Sequence, residues 1–430
     1  MKKTLFLVIL LAATSLCVQL TAQNTLKLYT HYCPNSYWRQ SVGRISKSDQ
    51  HIIASHRTNS TTEFFSIDPV SLATYKFDLM PVFWVLDFEV SGEMVYFCGT
   101  YHNQAVIGRF NENEFYSGST VTYEYMTIPQ ALSLHKMVLY RDVSGADIVA
   151  AVGSSVNQVA DFIVTVDIND STLNYCYKSI SNYICQDIAV TDNYIVASGD
   201  YASVANQFAV TVINKNDLCT YAGVICNETS FNNNTGIYNI KELDGDNVAI
   251  STIMDNTSYS QFCARVHVFD AANLNFINTQ DIPLINKTST NEMQYIWEDS
   301  TLLLLHTNEY PVPFSNNSVI YYLKPYMTSS YTATVIYDTT MYSSSLDRLH
   351  LSTRYLATGA LKTGEHCFFM RALNGTNLPK CFEESKEIIY IPNIPIPNPT
   401  LLYPMNTDIS LFNDLISNLI TDYATIHCDN

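Results

Sequence analysis

Seven short stretches of the chain repeat one pattern: HIIAS at His51–Ser55, MVYFCGT at Met94–Thr100, DIVAAVGS at Asp147–Ser154, YIVASGD at Tyr194–Asp200, NVAIST at Asn247–Thr252, LLLLHT at Leu302–Thr307 and YLATGA at Tyr355–Ala360. Each is a strongly apolar run that closes on small or polar residues. Aligning them sets Ala54, Phe97, Ala151, Ala197, Ile250, Leu304 and Ala357 at equivalent positions, with gaps of 43, 54, 46, 53, 54 and 53 residues. A turn-forming cluster precedes every one: SKSD, SGE, SGAD, TDN, DGD, EDS and STR. A second apolar run follows every one: TEFFSID, AVIGRF, DFIVTVDI, FAVTVI, ARVHVF, VIYYL and CFFMRAL. The runs alternate with period two and are rich in Val, Ile, Tyr and Phe, which predicts strands. A short alternating strand ahead of the turn and a fourth strand behind the third complete a unit of about 50 residues.

One such unit cannot cover both of its faces. Stacking the units around an axis buries them against one another and accounts for strands that are apolar on both sides. In this layout residues 40 to 385 resemble the seven-bladed β-propeller superfamily. The resemblance implies an all-β fold, a seven-bladed β-propeller with a short C-terminal extended segment and one helix. Trp-Asp dipeptides at strand ends, a Gly-Gly pair and an S-x-D-x-G-x-x-W box are all lacking, so the propeller families that carry those marks are not indicated. Two unrelated β-sandwich domains are the rival reading, since irregular spacing can imitate a repeat.

The expected organisation is a signal peptide over 1–22, the propeller over 23–387, and an extension over 388–430 with a helix at 408–424. Lys2 and Lys3 precede an apolar run from Leu5 to Ala13, which is too short to span a bilayer, and cleavage is expected after Ala22. The address is therefore export, to the periplasm, the cell surface or the medium, in the style of a bacterial signal. No later stretch reads as a membrane span. Leu26 to Tyr29 is placed to pair with the last blade and close the ring. Pro392, Pro395, Pro397, Pro399 and Pro404 mark an extended segment rather than a ladder strand. Leu411, Leu415, Leu419 and Tyr423 form a helical stripe suited to docking on the outer or bottom surface of the propeller.

Charge and cysteines narrow the chemistry. With 23 Lys and Arg against 40 Asp and Glu, the net charge is −17, which argues against a nucleic-acid partner. The composition excludes collagen-like, coiled-coil and disordered chains. Ten of the 11 cysteines follow the signal, an even number that suggests disulfides in an exported chain. Cys367 with Cys381, Cys219 with Cys226, and Cys176 with Cys185 are the near pairs, and Cys33 and Cys428 lie near opposite ends. No CxxC pair exists. Asn227, Asn233, Asn286 and Asn316 open Asn-x-Ser/Thr patterns, a chance outcome in Asn-rich loops.

In such a ring, the first strand of each unit lines the channel. The turns joining second to third strands, and fourth strands to the next first strand, share one face, termed the top. Counting back ten from the equivalent positions gives Arg44, Asp87, Asp187, Gln294 and Asp347. The fifth unit offers Asn239, and the third His135 or Lys136. This polar ring at the channel mouth suits a polar ligand or a hard cation such as calcium. The plainer reading is that these groups hydrogen-bond to neighbouring backbone and to one another, closing the gaps between inner strands. The second-to-third-strand turns add His56, Arg57, Tyr101, His102, Asp200, Tyr201, His306, Glu309 and Tyr310, and Trp84 opens the second inner strand. Aromatics beside amides and carboxylates suit a sugar or peptide.

Two functions compete. One is a non-catalytic exported propeller that binds a glycan, peptide or protein through its top face. The other is a polysaccharide hydrolase or lyase using Asp87, Asp187, His306 and Asp347 at the mouth. Asp87 and Glu89 share one strand face, as paired acids would. Leu243 to Asp246 resembles a fragment of a calcium loop but reads better as a β-turn. HExxH, G-x-S-x-G, GxGxxG and phosphate-binding loop patterns are absent from the sequence.

Overall fold

All seven repeated stretches are strands, each paired with the innermost strand of its sheet: Ile52–Arg57, Met94–Tyr101, Asp147–Ser155, Tyr194–Tyr201, Asn247–Asn256, Thr301–Asn308 and Tyr355–Lys362. The computed structural model describes residues within 27–404, namely its strands and the turns of the continuous stretches 84–115, 121–155, 183–201, 207–227, 239–256, 261–283 and 317–327. The signal segment 1–22 and the helix expected over 408–424 lie outside the described residues.

Among the described residues the strands make seven antiparallel sheets. The second sheet shows the plan: Trp84–Ser91, Met94–Tyr101, Gln104–Asn111 and Tyr123–Ile128, each hydrogen-bonded to the next. Innermost strands are Val42–Ile45, Trp84–Ser91, Ala131–Arg141, Tyr183–Val190, Asn239–Glu242, Thr288–Ile296 and Ser345–Leu351. Each packs against the innermost strand of the next sheet, and that of the seventh packs against that of the first, so the ring closes. This is the radial arrangement of a β-propeller.

The energetic reason for the ring lies in the seams. Along Met94–Tyr101, Val95 and Phe97 on one face and Tyr96 and Cys98 on the other are all buried. Ile53, Phe64, Phe88, Phe97 and Phe110 form the seam of the first and second sheets, with Phe64 edge-on to Phe88 at 5.3 Å and to Phe110 at 5.0 Å. Tyr96, Ile107, Leu134 and Val149 join the second to the third. Val152, Ile163, Ile188 and Ile195 join the third to the fourth, and Val196, Phe208, Val248 and Phe269 the fourth to the fifth. Each fully buried side chain of this kind contributes about 1.5–3 kcal/mol, and only a neighbouring sheet can supply the burial.

The N-terminal strand Lys27–Tyr32 pairs antiparallel with Glu365–Ala372, Thr30 opposite Cys367. It supplies the outer strand of the seventh sheet and ties the chain's start to its last repeat, as the sequence predicts. The extension behaves differently from expectation. Within the expected propeller segment, Glu383–Lys386 pairs outside Tyr331–Tyr337 of the sixth sheet, and in the extension Thr400–Pro404 is a ladder strand, paired outside Asp217–Asn227 of the fourth. Proline is tolerated there because an outermost strand needs only one hydrogen-bonded side, and Pro404 ends it.

Two expected cysteine pairs are corrected. Cys219 and Cys226 lie on one strand, Asp217–Asn227, whose regular part from Tyr221 to Cys226 alone spans about 16 Å, beyond disulfide reach. Cys176 is on the outer strand of the third sheet and Cys185 on the innermost strand of the fourth. Cys185 is a buried thiol whose Sγ lies 3.9 Å from the Asp187 carbonyl, and Cys98 is a buried thiol 3.6 Å from the Leu134 carbonyl. Cys33, Cys381 and Cys428 lie outside the described residues.

Candidate binding face and channel ring

The innermost strands are irregular at a recurring place. Register shifts fall between Val85 and Asp87, Leu134 and Lys136, Cys185 and Asp187, Thr290 and Glu292, and Leu346 and Arg348. Each is a β-bulge, which adds one residue to a strand and re-aims the side chains beside it. Asp87 and Asp187 each follow the extra residue directly. Their carboxylates therefore turn towards the next sheet rather than along their own.

Both are buried, Asp87 at 1% exposure and Asp187 at 4%. Asp87 Oδ2 accepts the backbone N–H of Met137 at 3.0 Å, on the innermost strand of the third sheet. Asp187 Oδ2 accepts the N–H of Ile240 at 3.0 Å, on the innermost strand of the fifth, and its Oδ1 accepts the N–H of Ile188 at 2.9 Å. Lys136 Nζ stands 4.0 Å from Asp187 Oδ1, and His135 Nε2 lies 2.8 Å from the Cys185 carbonyl. The carboxylates thus bridge adjacent inner strands, the plainer of the two readings for these residues.

The other sequence-derived candidates divide by position. Asn239 is buried on the fifth innermost strand. Arg44, Gln294 and Asp347 lie on the first, sixth and seventh innermost strands, with Arg44 opposite Ile53, Gln294 opposite Leu303, and Asp347 at the bulge between Leu346 and Arg348. Tyr201 pairs with Tyr183, and His306 with Thr290 and Val319, near the top ends of their strands. Tyr201 and His306 thus stand towards the strand ends that lead into the second-to-third-strand turns, while Glu309 and Tyr310 lie outside the described residues. Among the described residues no three His, Cys, Asp or Glu side chains converge as a metal ion would require. Among them, too, no helix is long and apolar enough to cross a membrane. Asp246 closes a turn and accepts from Thr191 Oγ1, Asn193 N and Asn193 Nδ2 at 2.8–2.9 Å, so it clasps the fourth sheet to the fifth rather than completing a calcium loop.

The second sheet carries the best-described part of the top. Trp84 is opposite Thr100, and Tyr101 is opposite Gln104 across the two-residue turn His102-Asn103. Both turn residues have positive φ, 49° and 62°, as a type I′ hairpin requires. Tyr101 lies 4.2 Å from the His102 ring and 5.9 Å from Tyr125, which is 6.3 Å from Tyr123. Sequence reasoning reached Trp84, Tyr101 and His102 but missed the two outer-strand tyrosines. The alternation Tyr123-Glu124-Tyr125 was the available signal, because it puts both rings on one face.

At the opposite end of the same sheet, Glu112 opens the 3-10 turn Glu112–Phe115, which packs against Thr74–Asp78 of the first sheet. Its N–H donates to the Glu93 carbonyl at 2.8 Å. Its side chain is 3% exposed, and Oε2 has no hydrogen-bond partner. Burial, with the Glu93 carboxylate second, pushes its pKa up to about 7. Because the folded value exceeds the ordinary 4.5, the fold binds the proton more tightly than the unfolded chain does. Stability should fall as pH rises from about 4.5 to 7, by on the order of 2 kcal/mol after allowance for partial solvation. Glu112→Gln should flatten that slope and stabilise the protein at pH 8, measured by urea unfolding at pH 5 and pH 8.

No protein-family model matches the chain, and no curated protein matches it in sequence. Solved structures resemble it. The Dos1 propeller aligns at TM-score 0.53 and 13% identity, over 81% of this chain and 82% of that one. The propeller domain of the trilobed protease from Pyrococcus furiosus aligns at 0.48 and 9%, over 86% and 98%. The polysaccharide lyase Uly1 aligns at 0.46 and 8%, over 80% and 93%. At such identities the likeness to the Dos1 propeller shows the fold alone, a β-propeller, and the activity has to be argued from the site.

Proposed function

We propose that this protein is an exported seven-bladed propeller that acts by binding, not catalysis, and takes a glycan, peptide or protein partner on its top face. The observation that carries this reading is the engagement of Asp87 and Asp187. A general acid or base must reach a substrate proton, and a cation ligand must offer free lone pairs to a shared centre. These two carboxylates are sunk between inner strands and already accept backbone N–H groups of the next sheet. That geometry supports a scaffold role for the ring and leaves recognition to the turns above it. Aromatic and amide side chains at those turns suit a binding face.

The test uses the mature chain on glycan and peptide arrays, with product analysis of any polysaccharide that binds. Binding without turnover, retained in Asp87→Asn and Asp187→Asn, is expected. Release of new chain ends that disappears in Asp187→Asn would establish the hydrolase or lyase reading instead.

A further inference from the structure

We infer that the upper face of the second sheet is a docking site for a neutral oligosaccharide, stacked on Tyr101, His102 and Tyr125. The inference rests on the binding reading above and names its ligand class. Three observations carry it. The first is geometry: Tyr101, His102 and Tyr125 form a linked set of rings at 4.2 and 5.9 Å, with Tyr125 45% exposed. His102 and Tyr125 are exposed and Tyr101 is half-buried against the seam beneath them, so the exposed rings offer flat surface to the C–H face of a pyranose, while the phenol and imidazole edges meet its hydroxyls.

The second observation is charge. On the tyrosine face Val95, Phe97, Val106 and Phe110 are buried in the seam with the first sheet, and the positions that stay exposed or half-buried, Tyr101, Gln104, Tyr123, Tyr125 and Thr127, include no Asp, Glu, Lys or Arg. The Arg109–Glu124 ion pair, at 2.8 Å, lies on the opposite face. A uronate or sulfated polymer would need cations here, and the net charge of −17 repels it further. Exposed Asn103 and Gln104 beside the rings supply neutral donors and acceptors instead. The third observation is the turn itself. His102 holds a left-handed conformation without being glycine, a cost of about 1 kcal/mol. The type I′ turn holds the imidazole at the exposed tip of the hairpin beside Tyr101, where a ligand can reach it.

The experiment measures binding of the full mature chain to hexamers of neutral β-glucan, mannan and xylan, to polygalacturonate, and to a random peptide library. Calorimetry and affinity electrophoresis supply the readouts. Binding of at least one neutral hexamer is expected, weakened tenfold or more by Tyr125→Ala and by His102→Asn, with thermal unfolding of both variants unchanged. Asn retains the turn conformation, so His102→Asn separates loss of the imidazole from loss of the fold. Neutral-hexamer binding indifferent to both variants, or no such binding at millimolar concentration, overturns the inference. Polygalacturonate or peptide binding that the variants abolish also overturns the ligand class while leaving the top-face reading intact. Cleavage of a hexamer whose binding depends on Tyr125 would defeat the non-catalytic reading and leave the stacking site standing.

Discussion

Gly99→Ala and Gly153→Ala should each destabilise the protein by about 3 kcal/mol or more, enough to be seen as a large drop in the denaturant midpoint. A Cβ built on Gly99 would lie 1.9 Å from the Trp84 carbonyl oxygen, and one on Gly153 would lie 1.9 Å from that of Ser133. Both obstacles are backbone, so no rotamer change relieves them. The cause is the bulge on the facing inner strand, which pushes a carbonyl into the space a side chain would fill. The control is Gly92→Ala. Gly92 has φ +62° with nothing within 4 Å of an added Cβ, so that substitution should cost only about 1 kcal/mol, the price of a left-handed L-residue. Guanidinium unfolding of the three variants checks the ranking. Equal losses at Gly92 and Gly153 would contradict the steric account.

That glycine was partly legible beforehand. Gly99, Gly153, Gly199 and Gly359 all stand two residues after the equivalent positions Phe97, Ala151, Ala197 and Ala357, and the repeat already reads as apolar runs ending in small residues. The strands themselves were legible because burial on two faces leaves a continuous apolar run, and repetition multiplies the signal. The closing strand was legible for a related reason: a last sheet of three strands needs a fourth, and Leu26 to Tyr29 is a short alternating run that belongs to none of the repeated units.

What stayed hidden is whatever depends on direction rather than period. The bulges shift the register of five of the described inner strands, and no residue type marks the shift. Counting back from Phe97 and Ala197 finds Asp87 and Asp187 but cannot tell a channel-facing carboxylate from one turned towards Met137 or Ile240. The same limit applies to the cysteines. Cys176 and Cys185 are close in sequence, yet one strand is outermost and the other innermost. Pairing of Thr400–Pro404 with the fourth sheet joins segments nearly 180 residues apart, and a proline-rich stretch advertises extension without naming its partner edge.

Replacing Asp187 tests the role assigned to the channel ring most directly. Asp187→Ala removes the acceptor for the Ile240 and Ile188 N–H groups and strands Lys136 without its carboxylate neighbour. Each buried N–H left unsatisfied costs about 1–3 kcal/mol, so the variant should lose about 3 kcal/mol or more. Asp187→Asn keeps one carbonyl-type oxygen for Ile240 and gives up the charge facing Lys136, so its loss should be nearer about 1 kcal/mol. Asp87→Ala, which strands only the Met137 N–H among these contacts, should fall between the two. A structural ring predicts this order in urea unfolding, together with unchanged ligand affinity in whichever variants remain folded. A ring built for a cation or for catalysis predicts the reverse: Asp187→Asn would hold its stability while binding or turnover collapsed. The two patterns cannot be confused, because one moves the unfolding midpoint and the other moves only the function.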